Sequence, residues 1–240
     1  MAILNKLLET PLKLSHLSAE LSLPVQEISR QLSRLDKNDL VQKNLNGSYS
    51  ATPFAEQVLK LIPGMKFLSD NRGYLKTHTM SGIPNRFLMQ VGDLASCKYV
   101  EDVMKQLHYS EELIREAEEY LWIISDQVLM SSLQFTEAAI ERDVEHKFIG
   151  PRDIKPPEGF YEEATERGLI GPRGKAKYRF LDELHVLITL TEKEATFSFP
   201  KTNGKFEYSG FQTSDPEAHE WCRRLFQHYW DSTTITIPGI

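Results

Sequence analysis

Residues 17–35 read Leu17-Ser-Ala-Glu-Leu21-Ser-Leu-Pro24-Val25-Gln-Glu-Ile28-Ser-Arg-Gln-Leu32-Ser-Arg-Leu35. Leu14, Leu17 and Leu21 recur at helical spacing, Ser22-Leu23-Pro24 breaks the run with Pro24 placed for the first turn of a new helix, and Val25, Ile28, Leu32 and Leu35 begin a second apolar stripe. The face opposite that stripe holds Gln26, Glu27, Ser29, Arg30, Gln31, Ser33 and Arg34. It is short on bulk and rich in hydrogen-bond donors. Upstream, Ile3, Leu4, Leu7 and Leu8 predict a short helix ended by Pro11. Downstream, Leu40-Val41-Gln42-Lys43 and Ser48-Tyr49-Ser50-Ala51-Thr52 flank Asn46-Gly47, a strong hairpin signal.

Three short helices closed by a hairpin is the order of a winged helix-turn-helix, in which the last helix enters the major groove and the hairpin lies on the adjacent backbone. The expected partner is therefore double-stranded DNA. Gln26, Ser29, Arg30, Gln31, Ser33, Arg34 and Lys37 are the candidates for base edges and phosphates, and Lys43 and Tyr49, flanking the turn, for the phosphate backbone. The stretch from Leu17 to Leu35, with Asp39-Leu40-Val41 after it, resembles the helix-turn-helix of ArsR-type and MarR-type regulators. Ser29-Arg30-Gln31-Leu32 falls where those families carry their recognition-helix signature. Asp39 takes the position usually held by Gly before the wing.

The 240 residues are 40% hydrophobic and 26% charged, the usage of a folded globular chain. No apolar run approaches the roughly 18–20 residues a bilayer span requires, and Met1-Ala-Ile-Leu-Asn-Lys has none of the regions of a signal peptide, so no membrane partner and a cytoplasmic location are expected. The net charge of -6 argues against indiscriminate coating of nucleic acid. Its distribution is uneven. Residues 1–52 hold six Lys/Arg against five Asp/Glu, and the remainder holds twenty-two against twenty-nine. Cys97 and Cys222 cannot by themselves supply a disulfide framework or a zinc site, and are read as unpaired thiols.

Beyond the hairpin, Phe54, Val58, Leu59, Leu61, Ile62, Phe67 and Leu68 predict a linking helix interrupted near Pro63-Gly64. A helix is expected over Ser110–Glu119, capped by Ser110, and others over Leu129–Arg142, Gly159–Arg167 and Pro216–Trp230. Strand-like runs fall at 120–125, 145–149, 177–180, 185–190, 195–199 and 206–211. Such alternation predicts an α/β layer rather than a bundle. The run Tyr74…His78…Ile83-Pro84…Phe87-Leu88…Gly92-Asp-Leu94 and the tail from Phe211 to Trp230 resemble archaeal methanogenesis-type regulators. That resemblance implies a phospholipase-D-like sheet of the kind also found in the effector domain of TrmB-type sugar-responsive regulators.

The phospholipase-D reaction needs a His-x-Lys, with the histidine as nucleophile and the lysine holding phosphate. His185-Val186-Leu187 offers leucine in place of the lysine, so His185 is read as a packed residue on an apolar strand. Gly171-Pro-Arg-Gly174-Lys175 lacks Walker spacing and is read as a surface loop. The seven histidines show no metal-ligand spacing. The expected fold class is α+β: a winged helix-turn-helix at 1–52, a linker helix at 53–80 and an α/β sensor and dimerisation domain at 81–240. The function implied is a non-catalytic, homodimeric transcription regulator without cofactor, responsive to a small-molecule effector. A winged-helix adaptor for protein partners is the chief rival and a phosphodiesterase-like enzyme the weaker one.

Overall fold

The computed structural model describes residues 1–170 and 175–233. Gly171-Pro-Arg-Gly174, expected as a surface loop, lies outside the described residues. The chain divides into two compact units, Met1–Met65 and Lys66–Ile240.

The first unit holds α1 (Ala2–Glu9), α2 (Leu14–Leu21), α3 (Val25–Asp36), β1 (Val41–Lys43), β2 (Tyr49–Ala51) and the start of α4 (Pro53–Asp70). Its core is Ile3, Leu4, Leu7, Leu17, Ile28, Leu32, Val41 and Ala55. Two residues of the expected stripes point to water: Leu8 is exposed, and so is Val25 at 49%. Helical side chains lean toward the N-terminus, so Val25, the first residue of α3, overhangs the helix end instead of covering Ile28. Between α2 and α3, Ser22 adopts the left-handed conformation (φ 53) and Leu23 N donates to Ser18 O at 3.1 Å.

α4 runs unbroken through Pro63, contrary to the expected interruption. Proline removes one intrahelical bond, but the helix is anchored on both sides of it. Ala55 and Leu59 pack in the first core, and Phe67 in the second.

The second unit continues with α5 (Arg72–Leu75), α6 (Asn85–Leu88), a 3-10 turn (Val91–Leu94), β3 (Lys98–Val100), α7 (Val103–Glu116), β4 (Tyr120–Ile124) and α8 (Met130–Glu141). Then come β5 (Glu145–Pro151), α9 (Phe160–Glu166), β6 (Lys177–Leu181), β7 (Leu187–Leu190), β8 (Ala195–Ser198), β9 (Gly210–Thr213) and α10 (Pro216–Ser232). Among the described residues they form one seven-stranded sheet, order β3-β9-β8-β7-β4-β5-β6. β4, β5 and β6 are parallel, joined by the crossovers α8 and α9, while β7, β8, β9 and β3 extend the sheet antiparallel.

Strand alternation sorts side chains onto two faces. Trp122, Ile124, Ile188, Leu190, Phe197 and Phe211 join the core under α10, with Trp221, Cys222, Leu225 and Phe226 facing them. Leu121 and Ile123 point the other way, toward Ile114 of α7 and Ala139 of α8. The cross-strand partners of Leu121 and Ile123 are His146 and Phe148, and Phe148 pairs in turn with Tyr178. Ile83, Phe87, Val91 and Leu94, from the run preceding the sheet, are buried in the α10 core. Asp215 caps α10, accepting from Glu217 N and Ala218 N at 3.1 Å, and Pro216 follows it.

Three local expectations are corrected. α7 starts at Val103 rather than Ser110, because Asp102 caps it by accepting from Met104 N and Lys105 N at 3.0 and 3.2 Å. Ser110 is interior and donates back to Gln106 O. The expected strand at 206–211 begins only at Gly210, since Tyr208 holds φ 64, which no extended strand accepts. His185 precedes β7 rather than lying on it, half-buried against Gly82, where a Cβ would collide with its ring. β3 was not expected. No helix among the described residues is long and apolar enough to cross a membrane.

Candidate functional site

Two features stand out, one in each unit. In the first, Gln26, Arg30, Ser33 and Lys37 succeed one another at steps of four, three and four along α3 and its C-cap, and all four are exposed. Ser29 and Arg34 flank that line and are exposed too, whereas Gln31 turns toward the body and is half-buried. Ile28 and Leu32, fully buried on the other side, fix the rotation of the helix.

Arg30 and Gln31 do not hang free. Arg30 is ion-paired with Glu27, and Gln31 Nε2 donates to Glu27 Oε1 at 2.7 Å. The Gln31 hydrogen bond, against the opposing effect of desolvation and helped by the Arg30 and Arg34 charges, holds the Glu27 carboxyl below its usual range. Glu27 was not among the sequence candidates, although its spacing of three and four from Arg30 and Gln31 was readable. A carboxylate on this face positions the guanidinium and would also oppose phosphate.

The loop from α3 to β1 is held by its backbone. Leu40 N donates to Leu35 O at 2.9 Å, and Thr52 Oγ1 donates to Asp39 O at 2.5 Å while accepting from Ala55 N at 3.1 Å. Asp39 has φ 56, the left-handed conformation in which glycine would be at ease. The hairpin pairs Lys43 with Tyr49, and Asn44 N donates to Ser48 O at 2.8 Å. Leu45, Asn46 and Gly47 form the tip, with Gly47 at φ 78. Tyr49 also exchanges both backbone bonds with Leu12, at 2.8 and 3.0 Å, which ties the hairpin to the segment between α1 and α2. Lys43 is exposed and sits 5.9 Å from the centre of the half-buried Tyr49 ring. The sequence candidates thus lie on two surfaces, a helix face and a hairpin edge.

In the second unit, a cavity of about 400 Å³ opens on the sheet face covered by α7, α8 and α9. Ile123, Phe148, Leu133 and Leu169 make its apolar wall, and His146, Tyr178 and Thr136 also line it. His146 is buried and its Nδ1 has no hydrogen-bond partner among the described residues. Burial pushes its pKa down to about 4, so the ring is neutral. This cavity escaped the sequence reading, because alternation marks His146 as inward-facing but carries no information about how closely the helices approach.

His185 lines a second, open pocket with Asp126, Asp182, Glu183, Lys201 and Lys205. Leu187, two residues on, is buried in the sheet. Among the described residues no group of His, Cys, Asp and Glu could hold a metal ion. Cys97 and Cys222 are both free thiols.

Residues 107–232 match the family model described as methanogenesis regulatory protein FilR1, middle domain. No curated protein matches the chain. Among solved structures, TrmBL2, an archaeal chromatin protein whose structure is described as showing a novel mode of DNA binding, is 16% identical. The match covers 93% of this chain and 87% of that one, with TM-score 0.44. NucT from Helicobacter pylori is 12% identical over 57% of this chain and 96% of its own, with TM-score 0.43. Nuc from Salmonella typhimurium, a phospholipase D family member, is 12% identical over 53% and 88%, with TM-score 0.40. At such low TM-scores the fold rests on the chain's own sheet order, and the function on the family match and the residues.

Proposed function

The chain belongs to the family of the methanogenesis regulatory protein FilR1, middle domain, and from that premise we propose a sequence-specific, DNA-binding transcription regulator working as a homodimer in the cytoplasm. The observation that carries the DNA reading is the line Gln26, Arg30, Ser33 and Lys37, exposed along one side of α3, with a hairpin bearing Lys43 after it. Gln26 and Arg30 supply the donors and acceptors that read base edges, with Gln31 beside them at the margin of the face; Ser29, Ser33, Arg34 and Lys37 reach base edges or phosphates; Lys43 and Tyr49 hold the backbone. One winged helix buries little surface on DNA, and a dimer raises affinity by engaging two half-sites. The second unit is the dimerising sensor. Its effector acts by binding two arrangements of the dimer unequally. The absence of a lysine at position 187 supports a sheet without phosphodiesterase activity.

The reading is tested at Arg30. In Arg30→Ala, specific binding is expected to weaken by about 1–3 kcal/mol with relaxed base preference at one position, measured by titration against a selected genomic fragment and its single-base variants. A folded mutant with unchanged affinity and preference sinks the assignment of α3. At the hairpin, Lys43→Ala is expected to weaken binding about equally across sequences and to lower the salt slope by about one. A loss confined to one base pair would contradict a phosphate role.

A further inference from the structure

A buried polar group without a partner costs roughly 1–3 kcal/mol, and native chains rarely carry one without a reason. In the cavity beneath α7, α8 and α9, His146 Nδ1 on β5 is buried without a hydrogen-bond partner among the described residues, and the hydroxyls of Tyr178 on β6 and Thr136 on α8 line the same cavity. The His146 and Tyr178 rings stand 6.1 Å apart on the same sheet face. Other polar groups nearby are already satisfied: Gln106 is bonded to Thr196 and to Phe211 O, and accepts from Gln212 Nε2 at 3.0 Å. His146, Tyr178 and Thr136 thus offer hydrogen-bonding groups on β5, β6 and α8.

The charge of the lining narrows the occupant. Neither lysine nor arginine lines the cavity, and Glu111 is its one carboxylate. An anion would find no permanently charged cation in the wall, and burying an unpaired charge is prohibitive. Much of the wall is Ile, Leu, Phe, Val and Met, against which the hydroxyls of a polyhydroxylated sugar would be desolvated without partners. The volume of about 400 Å³ falls within the range of small-molecule sites.

From these observations we infer that the cavity binds one neutral, predominantly apolar small molecule through hydrogen bonds to His146, Tyr178 and Thr136. The inference deepens the sensing part of the proposed function by giving the effector a site and a chemical class. A phenol or an indole has the required form: a flat apolar body with one polar edge.

The test uses the full chain and four probes: para-cresol, indole, benzoate and glucose, each titrated while following thermal unfolding and calorimetric heat. Para-cresol and indole are expected to bind and to raise the midpoint with concentration. Benzoate and glucose leave it unchanged. Thr136→Phe, which places a ring beside His146 and Tyr178 in the proposed site, abolishes the rise. His146→Phe and Thr136→Val each weaken para-cresol binding about two- to tenfold, the worth of one hydrogen bond. This second pair carries the test should Thr136→Phe fail to fold. Absence of binding by both neutral probes, binding undiminished in a folded Thr136→Phe, or equal binding of benzoate overturns the site. A separate titration with DNA distinguishes the two levels: para-cresol bound with DNA affinity unmoved refutes the sensing role and leaves the site standing. Failure of the site leaves the DNA-binding reading as it was.

Discussion

Trp221→Ala is expected to destabilise the second unit by about 3–5 kcal/mol, the range for removing a large aromatic from a core. Trp221 on α10 has no exposed surface and lies edge-on to Phe87 at 5.9 Å and tilted against Phe197 at the same distance. Its Nε1 donates to the carbonyl of Phe87 at 3.1 Å. Truncation thus removes apolar contacts on two sides, leaves a cavity, and takes from the Phe87 carbonyl the second of its hydrogen bonds, leaving the one from Gln90 N at 3.1 Å. Urea unfolding followed by circular dichroism measures the loss. Trp221→Phe, which keeps a ring and loses only the donor and some volume, should cost clearly less. A loss under about 1 kcal/mol for the alanine variant would mean that α10 repacks freely, against everything its burial implies.

Acidification supplies the second large effect. His146 is neutral in the folded protein, with its pKa depressed to about 4 from an ordinary 6.5 by burial. Below pH 6.5 the unfolded chain takes up the proton and the folded chain does not, so stability contributed by the neutral ring is complete above that pH. It is lost progressively as the pH falls toward 4. At about 1.4 kcal/mol per unit, the loss approaches about 3 kcal/mol. Carboxylates also titrate in this range, so the contrast with His146→Phe isolates the histidine. The stability difference between the two proteins should shift in favour of phenylalanine between pH 7.5 and pH 4.5. A difference that stays constant would show the ring to be hydrated in the native state.

Much of the first unit was legible in the sequence because its determinants are local. The spacing of Leu17, Ile28 and Leu32, the Ser22–Pro24 break and the Asn46-Gly47 tip each act within a few residues, and each has its place in the fold. Asp39 shows the limit of residue identity. An aspartate stands at a left-handed position, held there by Thr52 from beyond the hairpin, and nothing local announces that partner.

The second unit was less readable where distant segments decide. β3 is three residues long and has no alternation to notice; it is a strand because β9 lies beside it. α7 begins seven residues before Ser110 because Asp102 satisfies two backbone donors at once, and a lone cap residue cannot tell the start of a helix from its interior. Intrinsic propensity predicts a break at Pro63, and packing on either side overrides it. Of the candidate sites, the exposed line on α3 followed from period alone. The cavity did not, since its existence depends on the spacing of three helices over a sheet.

The pairing of β3 with β9 brings Lys98 beside Gln212 and Tyr99 beside Phe211. Nearly the whole sheet lies between them along the chain, so joining these two strands closes the longest loop of any strand pair in the sheet and meets the largest entropic cost among those pairs. The parallel pairs built across α8 and α9 require far shorter closures. Assembly is therefore expected to run outward from β4 and β5. The strand that opens the sheet in the sequence joins it only after β9 has been added near the end of the chain, so a nascent chain halted before residue 210 would leave β3 without a template.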